Sequence, residues 1–142
     1  PYFDFYAQEI EKTYEECSQL DHLSKINKRF YQLVNRFLGI NTPMTWSMDY
    51  ELKAIDANKR LIELCQKAGA THYLTGPSAR DYIDTEMWRK NQIALEFFSY
   101  QGYPEYPQLF GSFEHQVSVL DLLLNTGPNA PKYLLSFPEE KI

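Results

Sequence analysis

Apolar residues recur every three or four positions over two stretches near the start of the chain. Phe3, Tyr6, Ile10, Tyr14 and Cys17 share one face, which predicts a helix over 4–18 with Asp4 as its cap. The second pattern is sharper: Leu23, Ile26, Phe30, Leu33, Val34 and Phe37 keep the helical period, Asp21 can cap it and Gly39 stops it. Its polar side carries Lys25, Lys28, Arg29 and Arg36, most simply a solvated face. Together these form a helical lead-in over 1–40.

Past the Thr-Pro turn at 42–43 the period changes. PMTWSM (43–48), THYL (71–74) and IALEFFSY (93–100) read as strands. Between them lie DANKRLIELCQKAGA (56–70), helical with Leu61, Ile62 and Cys65 inward and Gly69 as the stop, and the short helical turns SARDYI and DTEMWRKN. Strands alternating with helices predict a βαβ-type core over 43–100 with parallel strands. The fold class is therefore α/β: a small, mostly parallel three-stranded sheet, larger if strands precede this sequence, flanked by helices and led by two more. Residues 101–137 supply a Tyr/Pro loop, YQGYPEYPQLFG from residue 100, and a last apolar helix, HQVSVLDLLLN (115–125), ended by TGP. One further turn follows in NAPKYLLSF, with Asn129 as its cap.

The 142 residues suit a single domain, 1–142, and 11 Tyr, 9 Phe and 2 Trp provide ample core material. A net charge of −5 leaves no basic excess to displace phosphate counterions, so nucleic acid is not the expected partner. Cys17 and Cys65 sit in helical patterns beside apolar residues and read as buried thiols. With no CxxC and no His/Cys cluster, no metal site is expected. Neither a signal peptide nor a run of about 20 apolar residues is visible, so a cytoplasmic address without a membrane span is expected. The chain opens on Pro1 rather than Met, as a fragment or processed product would.

Three constellations can carry chemistry. In TGPSARDY (75–82), a strand end meets a Gly-Pro turn and a helix start. Pro77 suits the first helical position, and the Ser78 and Ala79 N–H groups, Ser78 Oγ and Arg80 could hold an anion. The bland alternative is an ordinary helix start with Arg80–Asp81 as a surface pair. Tyr103, Tyr106 and Gln108 offer flat rings, hydroxyls and an amide suited to a sugar or base, or else close the core beneath their loop. Asp121, among Val119, Leu120, Leu122 and Leu123, is either buried and paired, with Arg80 as one partner, or points outward. Buried, it is a general-base candidate. His22 and His72 read as structural, and His115, which could reach the loop, as a solvated cap neighbour of the last helix. No Ser-His-Asp order or phosphate-loop glycine motif is present, which leaves metal-free transfer chemistry or binding.

ATHYLTGPSARDYID, YPEYPQLFGSF and VSVLDLLLNTGP, in that order, resemble the carboxyl-terminal half of the WbqC-like family of bacterial proteins. INKRFYQLVNRFLGI and KRLIELCQKAGA fit its preceding helices, and the likeness runs from PYFDFY to GPNA. Thr75 stands where the family usually has serine, and Leu124 where it usually has phenylalanine. The resemblance implies the C-terminal part of a larger protein and a link to surface-polysaccharide (O-antigen, lipopolysaccharide) gene clusters. It further implies a transferase adding glycine or another acyl unit to a sugar, expected here to be nucleotide-activated; the rival reading is a non-catalytic sugar-nucleotide-binding or partner-binding module. The chemistry of the side chains, and not the likeness, suggests Arg80 and Asp121 as the catalytic residues of such a transfer. On the same ground Gly76, Ser78, Asp81, Tyr82, Tyr106 and Gln108 bind substrate, a nucleotide-sugar with an amino acid. No resident cofactor is implied, ATP or another nucleotide is compatible as a cosubstrate, and the oligomeric state stays unassigned.

Overall fold

A computed structural model describes residues 1–134 and the backbone of 137–141. In chain order the elements are α1 (Phe3–Cys17), α2 (Leu23–Leu38), α3 (Ala57–Lys67), β1 (His72–Thr75), α4 (Thr85–Lys90), β2 (Ala94–Ser99), α5 (Val119–Thr126) and β3 (Phe137–Lys141). Tighter 3-10 turns lie at Ser47–Tyr50, Pro77–Asp81 and Gly127–Tyr133. The fold is mixed α/β, and the two leading helices are present. The chain packs as two compact units, Pro1–Thr42 with Tyr103–Leu135 and Pro43–Gly102 with Ser136–Ile142.

In the first unit, α1 buries Tyr6, Thr13 and Cys17, and α2 buries Leu33. The ion pairs Arg29–Glu16 and Arg36–Glu9 run in opposite order along the two helices, which makes α1 and α2 antiparallel. The basic face of α2 is thus exposed yet tied to acids, since Lys25 also bonds Asp21 at 3.0 Å. Neither aspartate caps as expected. The N-caps are Tyr2 and His22, without a side-chain bond, and Asp21 turns to Lys25 and His22 instead. Tyr6, Tyr106, Leu122, Leu123 and Ala130 form the core of this unit.

Helix α5 starts at Val119, four residues later than the apolar run suggests, because Ser118 Oγ accepts the Leu120 N–H at 3.2 Å and sets the first turn there. It ends at Gly127, whose φ of +58° and ψ of −134° only glycine adopts readily. A Cβ at Gly127 would lie 2.5 Å from the Tyr2 ring, and the Tyr2 N–H is itself held on Leu124 C=O at 2.9 Å.

In the second unit β1 and β2 pair in parallel, with Thr75 opposite Phe97, and β2 pairs antiparallel with β3. The third strand is therefore β3, not 43–48. Residues 43–46 have no regular structure and 47–50 form a 3-10 turn. The polar side of α3 grips the segment that follows, 50–54. Glu63 accepts the Ala54 N–H at 2.8 Å and the Lys53 N–H at 3.0 Å, while Lys67 Nζ donates to the Tyr50 and Glu51 carbonyls at 2.7 and 2.8 Å. Those N–H groups hold the Glu63 carboxyl below the usual carboxylate range. Ile62, Cys65, Trp88, Ile93, Leu95 and Phe97 fill the core of this unit, and the Tyr73 ring stacks on Trp88 at 4.6 Å. Both cysteines are buried thiols.

Gly127→Ala combines a left-handed backbone with an unavoidable ring contact. It should lower the unfolding free energy in denaturant titration by about 2–4 kcal/mol. A loss below about 0.5 kcal/mol would mean that this turn tolerates a side chain.

Candidate functional site

The candidate residues fall into two groups, one in each unit. In the sheet unit β1 ends at Thr75, and Pro77 takes the first position of the turn Pro77–Asp81, as its fixed φ favours. Gly76 has φ −74°, open to any residue, and a Cβ there would meet the Tyr100 hydroxyl at 3.9 Å, an ordinary contact. One expected donor is withdrawn: the Ala79 N–H donates to Gly76 C=O at 3.1 Å, and Ala79 is buried. The tight turn closes on itself where a longer helix would have presented that group outward. Ser78, Arg80, Asp81 and Tyr82 are exposed.

Arg80 is the best-placed of these. Its guanidinium carbon lies 4.2 Å from the centroid of the Phe97 ring, which is otherwise buried in the core. Such a contact contributes about 0.5–2 kcal/mol and holds the cation over the ring. The cation therefore stands by the carboxyl end of two parallel strands, the end at which open α/β sheets take ligands.

Asn58 braces the far side of the corner. Its amide donates to Tyr82 C=O at 3.0 Å, while its Oδ1 accepts the Asp84 N–H at 3.0 Å and the Trp88 indole N–H at 3.4 Å. One side chain on α3 thus ties the corner to the start of α4.

In the helical unit Tyr106, Gln108 and Asp121 do meet. Tyr106 Oη donates to Asp121 Oδ2 at 2.7 Å, and Gln108 Nε2 donates to the same oxygen at 3.0 Å. Asn125 Nδ2 donates to Asp121 Oδ1 at 3.1 Å and to Asp121 C=O at 2.9 Å. Three neutral side chains of its own unit thus compensate the carboxylate. Gln108 also closes its own loop: its Oε1 accepts the Glu114 N–H at 2.8 Å and its Nε2 donates to Glu114 C=O at 3.0 Å. Tyr106 is 9% exposed and sits edge-on to Phe113 and Tyr133, so its ring is core. Burial, and then its bond to Asp121, push the Tyr106 phenol up to about 12.

These two geometries fall within the span of one family. A model described as the WbqC-like protein family matches residues 1–133. The chain belongs to this family. The corner, the Tyr/Pro loop and α5 of this WbqC-like chain all lie inside the matched range. Among curated proteins it is similar to Uncharacterized protein Rv1507c of Mycobacterium tuberculosis, 47% identical over 116 residues. That match takes in 82% of the chain and 50% of the relative, so the chain spans about half the length of the curated relative it matches. No solved structure gives a significant match.

Asn58 and Asn125 escape a reading by sequence, because a lone asparagine near a helix start or in its last turn carries no pattern. The Asn125 spacing of four from Asp121 is the one local signal that could have found it. The histidines hold no member of either group: His72 Nδ1 lies 2.8 Å from Thr71 Oγ1, and His115 packs on Phe113. Among the described residues no three His, Cys, Asp or Glu side chains gather as metal ligands would.

The raised Tyr106 phenol sets an alkaline signature. Unfolded tyrosine releases its proton near 10 and the folded one near 12, so stability is complete below 10 and falls as pH climbs between the two. Tyr106→Phe should flatten that alkaline fall and cost about 1 kcal/mol at neutral pH. Unfolding free energies measured across the alkaline range decide it, and an unchanged slope in the variant would contradict the assignment.

Proposed function

We propose that this WbqC-like chain is part of a bacterial group transferase of surface-polysaccharide biosynthesis, moving glycine or another acyl unit onto a nucleotide-activated sugar. The observation that supports it is Arg80, exposed and stacked on Phe97 by the carboxyl end of the parallel strands. A planar fork held in this way suits phosphate oxygens, which it can bind two at a time. Ser78 and Gly76 stand beside it in sequence, with Asp81 and Tyr82 next along the turn. In the transfer, an acceptor amine or hydroxyl forms the new bond to the acyl carbon. The activating group leaves with the bonding electron pair, and the acceptor proton passes to a base. Arg80 would meet the negative charge on the activating group. ATP or another nucleotide fits as the activating cosubstrate. A cytoplasmic address suits such donors, and no described helix is long and apolar enough to cross a membrane.

Asp121 takes a different part from the base first expected. With two donors on Oδ2 and one on Oδ1, its lone pairs are largely committed, which favours holding Tyr106 and Gln108 over abstracting a proton. The same observation favours the second reading, a module that binds a sugar-nucleotide without turning it over.

Thermal shifts of the full-length protein with nucleotide-sugars, ATP and glycine test both readings. A nucleotide-sugar at a hundred times its Kd should add about 2.7 kcal/mol to stability. Arg80→Ala should abolish the added stability while the unliganded protein still melts cooperatively. Formation of an acylated sugar would separate the transferase from the module. No shift with any nucleotide-sugar, or an equal shift in Arg80→Ala, would overturn the phosphate role of this corner.

A further inference from the structure

A cavity of about 300 Å³ opens between α1 and α2, lined by Thr13, Arg29, Gln32, Leu33 and Arg36. Its size lies at the lower end of small-molecule sites. Thr13 and Leu33 are buried and make its floor. The Thr13 hydroxyl donates to Glu9 C=O at 2.9 Å, leaving its oxygen as an acceptor. Arg29, Gln32 and Arg36 follow one another along one side of α2, about one helical turn apart.

Charge decides what such a groove accepts. Arg29 is paired with Glu16 and Arg36 with Glu9, so two cations are balanced by two carboxylates of the facing helix. A phosphate would have to displace or face those acids, and the groove offers it no net attraction. Each ion pair uses one nitrogen of its guanidinium, and a guanidinium has five N–H donors in a rigid plane. Arg29 also bonds Gln32 Oε1 at 3.4 Å, which leaves the Gln32 amide N–H groups as donors. The lining therefore offers both donors and acceptors over an apolar and hydroxylated floor, with its two cations balanced by two acids. Vicinal hydroxyl groups, each both donor and acceptor, match such a mixed lining.

We propose that the α1–α2 groove binds one neutral sugar unit, with Arg29, Gln32 and Arg36 on its hydroxyls and Leu33 under its carbon face. This site shares no residue with the Arg80 corner, so its failure would leave the phosphate reading intact, and the converse also holds.

The test is nitrogen-edited NMR of the folded chain, following the Gln32 side-chain amide and the Arg29 and Arg36 Nε–H signals. Probes are methyl glucoside, methyl N-acetylglucosaminide and inorganic phosphate. The site predicts saturable shifts of these signals with at least one glycoside and weaker ones with phosphate. Gln32→Ala, with its backbone spectrum otherwise kept, should weaken glycoside binding about tenfold. Arg29→Lys, which keeps the charge for Glu16 but removes the planar fork, should weaken it similarly. Absence of saturable shifts with both glycosides, phosphate shifting the signals more strongly, or unaltered affinity in both variants would each overturn the proposal.

Discussion

An acid in the first turn of an apolar helix constrains the whole helical unit. Helix α5 brings Leu122 and Leu123 into the core, and Asp121 lies between Leu120 and Leu122, which also pack there or against it. A carboxylate so placed needs donors, or the burial of its neighbours becomes costly. The Tyr/Pro loop answers that demand from 13 and 15 residues away, through Gln108 and Tyr106. Having reached Asp121, Gln108 folds its own loop back on Glu114, and the Tyr106 ring fills the space beside Phe113 and Tyr133. Compensation of one charge thus orders a loop rich in proline and glycine that has no regular structure of its own.

The sheet unit solves a different problem, that of fixing a cation at an exposed corner. Arg80 is held over the Phe97 face, and the turn that carries it is braced by Asn58 from α3. Glu63 and Lys67, one turn apart on the same helix, pin the chain that precedes it. Helix α3 therefore acts as the fixed element to which the irregular segments of this unit are attached. Its buried face, Ile62 and Cys65, anchors it to the core.

Much of this was legible in the residues, for reasons that differ from element to element. The three long helices announce themselves because one face of each is apolar and the other charged. THYL and IALEFFSY are short apolar runs bounded by turns, and both are strands. PMTWSM has the alternation of a strand but pairs with no strand among the described residues, and the polar side of α3 holds the chain just beyond it. The strand that does add to β2 reads FPEEK, a charged run with a proline, as edge strands often are, so no hydrophobic signal marks it. Asp121 stood out by its apolar neighbours, and Tyr106 and Gln108 by their loop. That Tyr106 and Gln108 meet Asp121 could not be read, because neutral donors at long range leave no charge pattern. The Ala79 N–H illustrates the reverse case. A helix start was read correctly, but a turn too short and tight to leave that donor outward was not.

Membership of the WbqC-like family covers nearly the whole chain, and the stretches that carry the likeness contain both the corner and the Asp121 network. Asp121 orders its loop, and Arg80 is the cation proposed above to meet ligand charge. The central physical claim is that Asp121 acts through the side chains it holds. A double-mutant cycle of Gln108→Ala and Asp121→Ala, read as unfolding free energies, tests it most directly. The account predicts a coupling of about 1 kcal/mol or more between the two changes. Effects that add to within about 0.3 kcal/mol would contradict it.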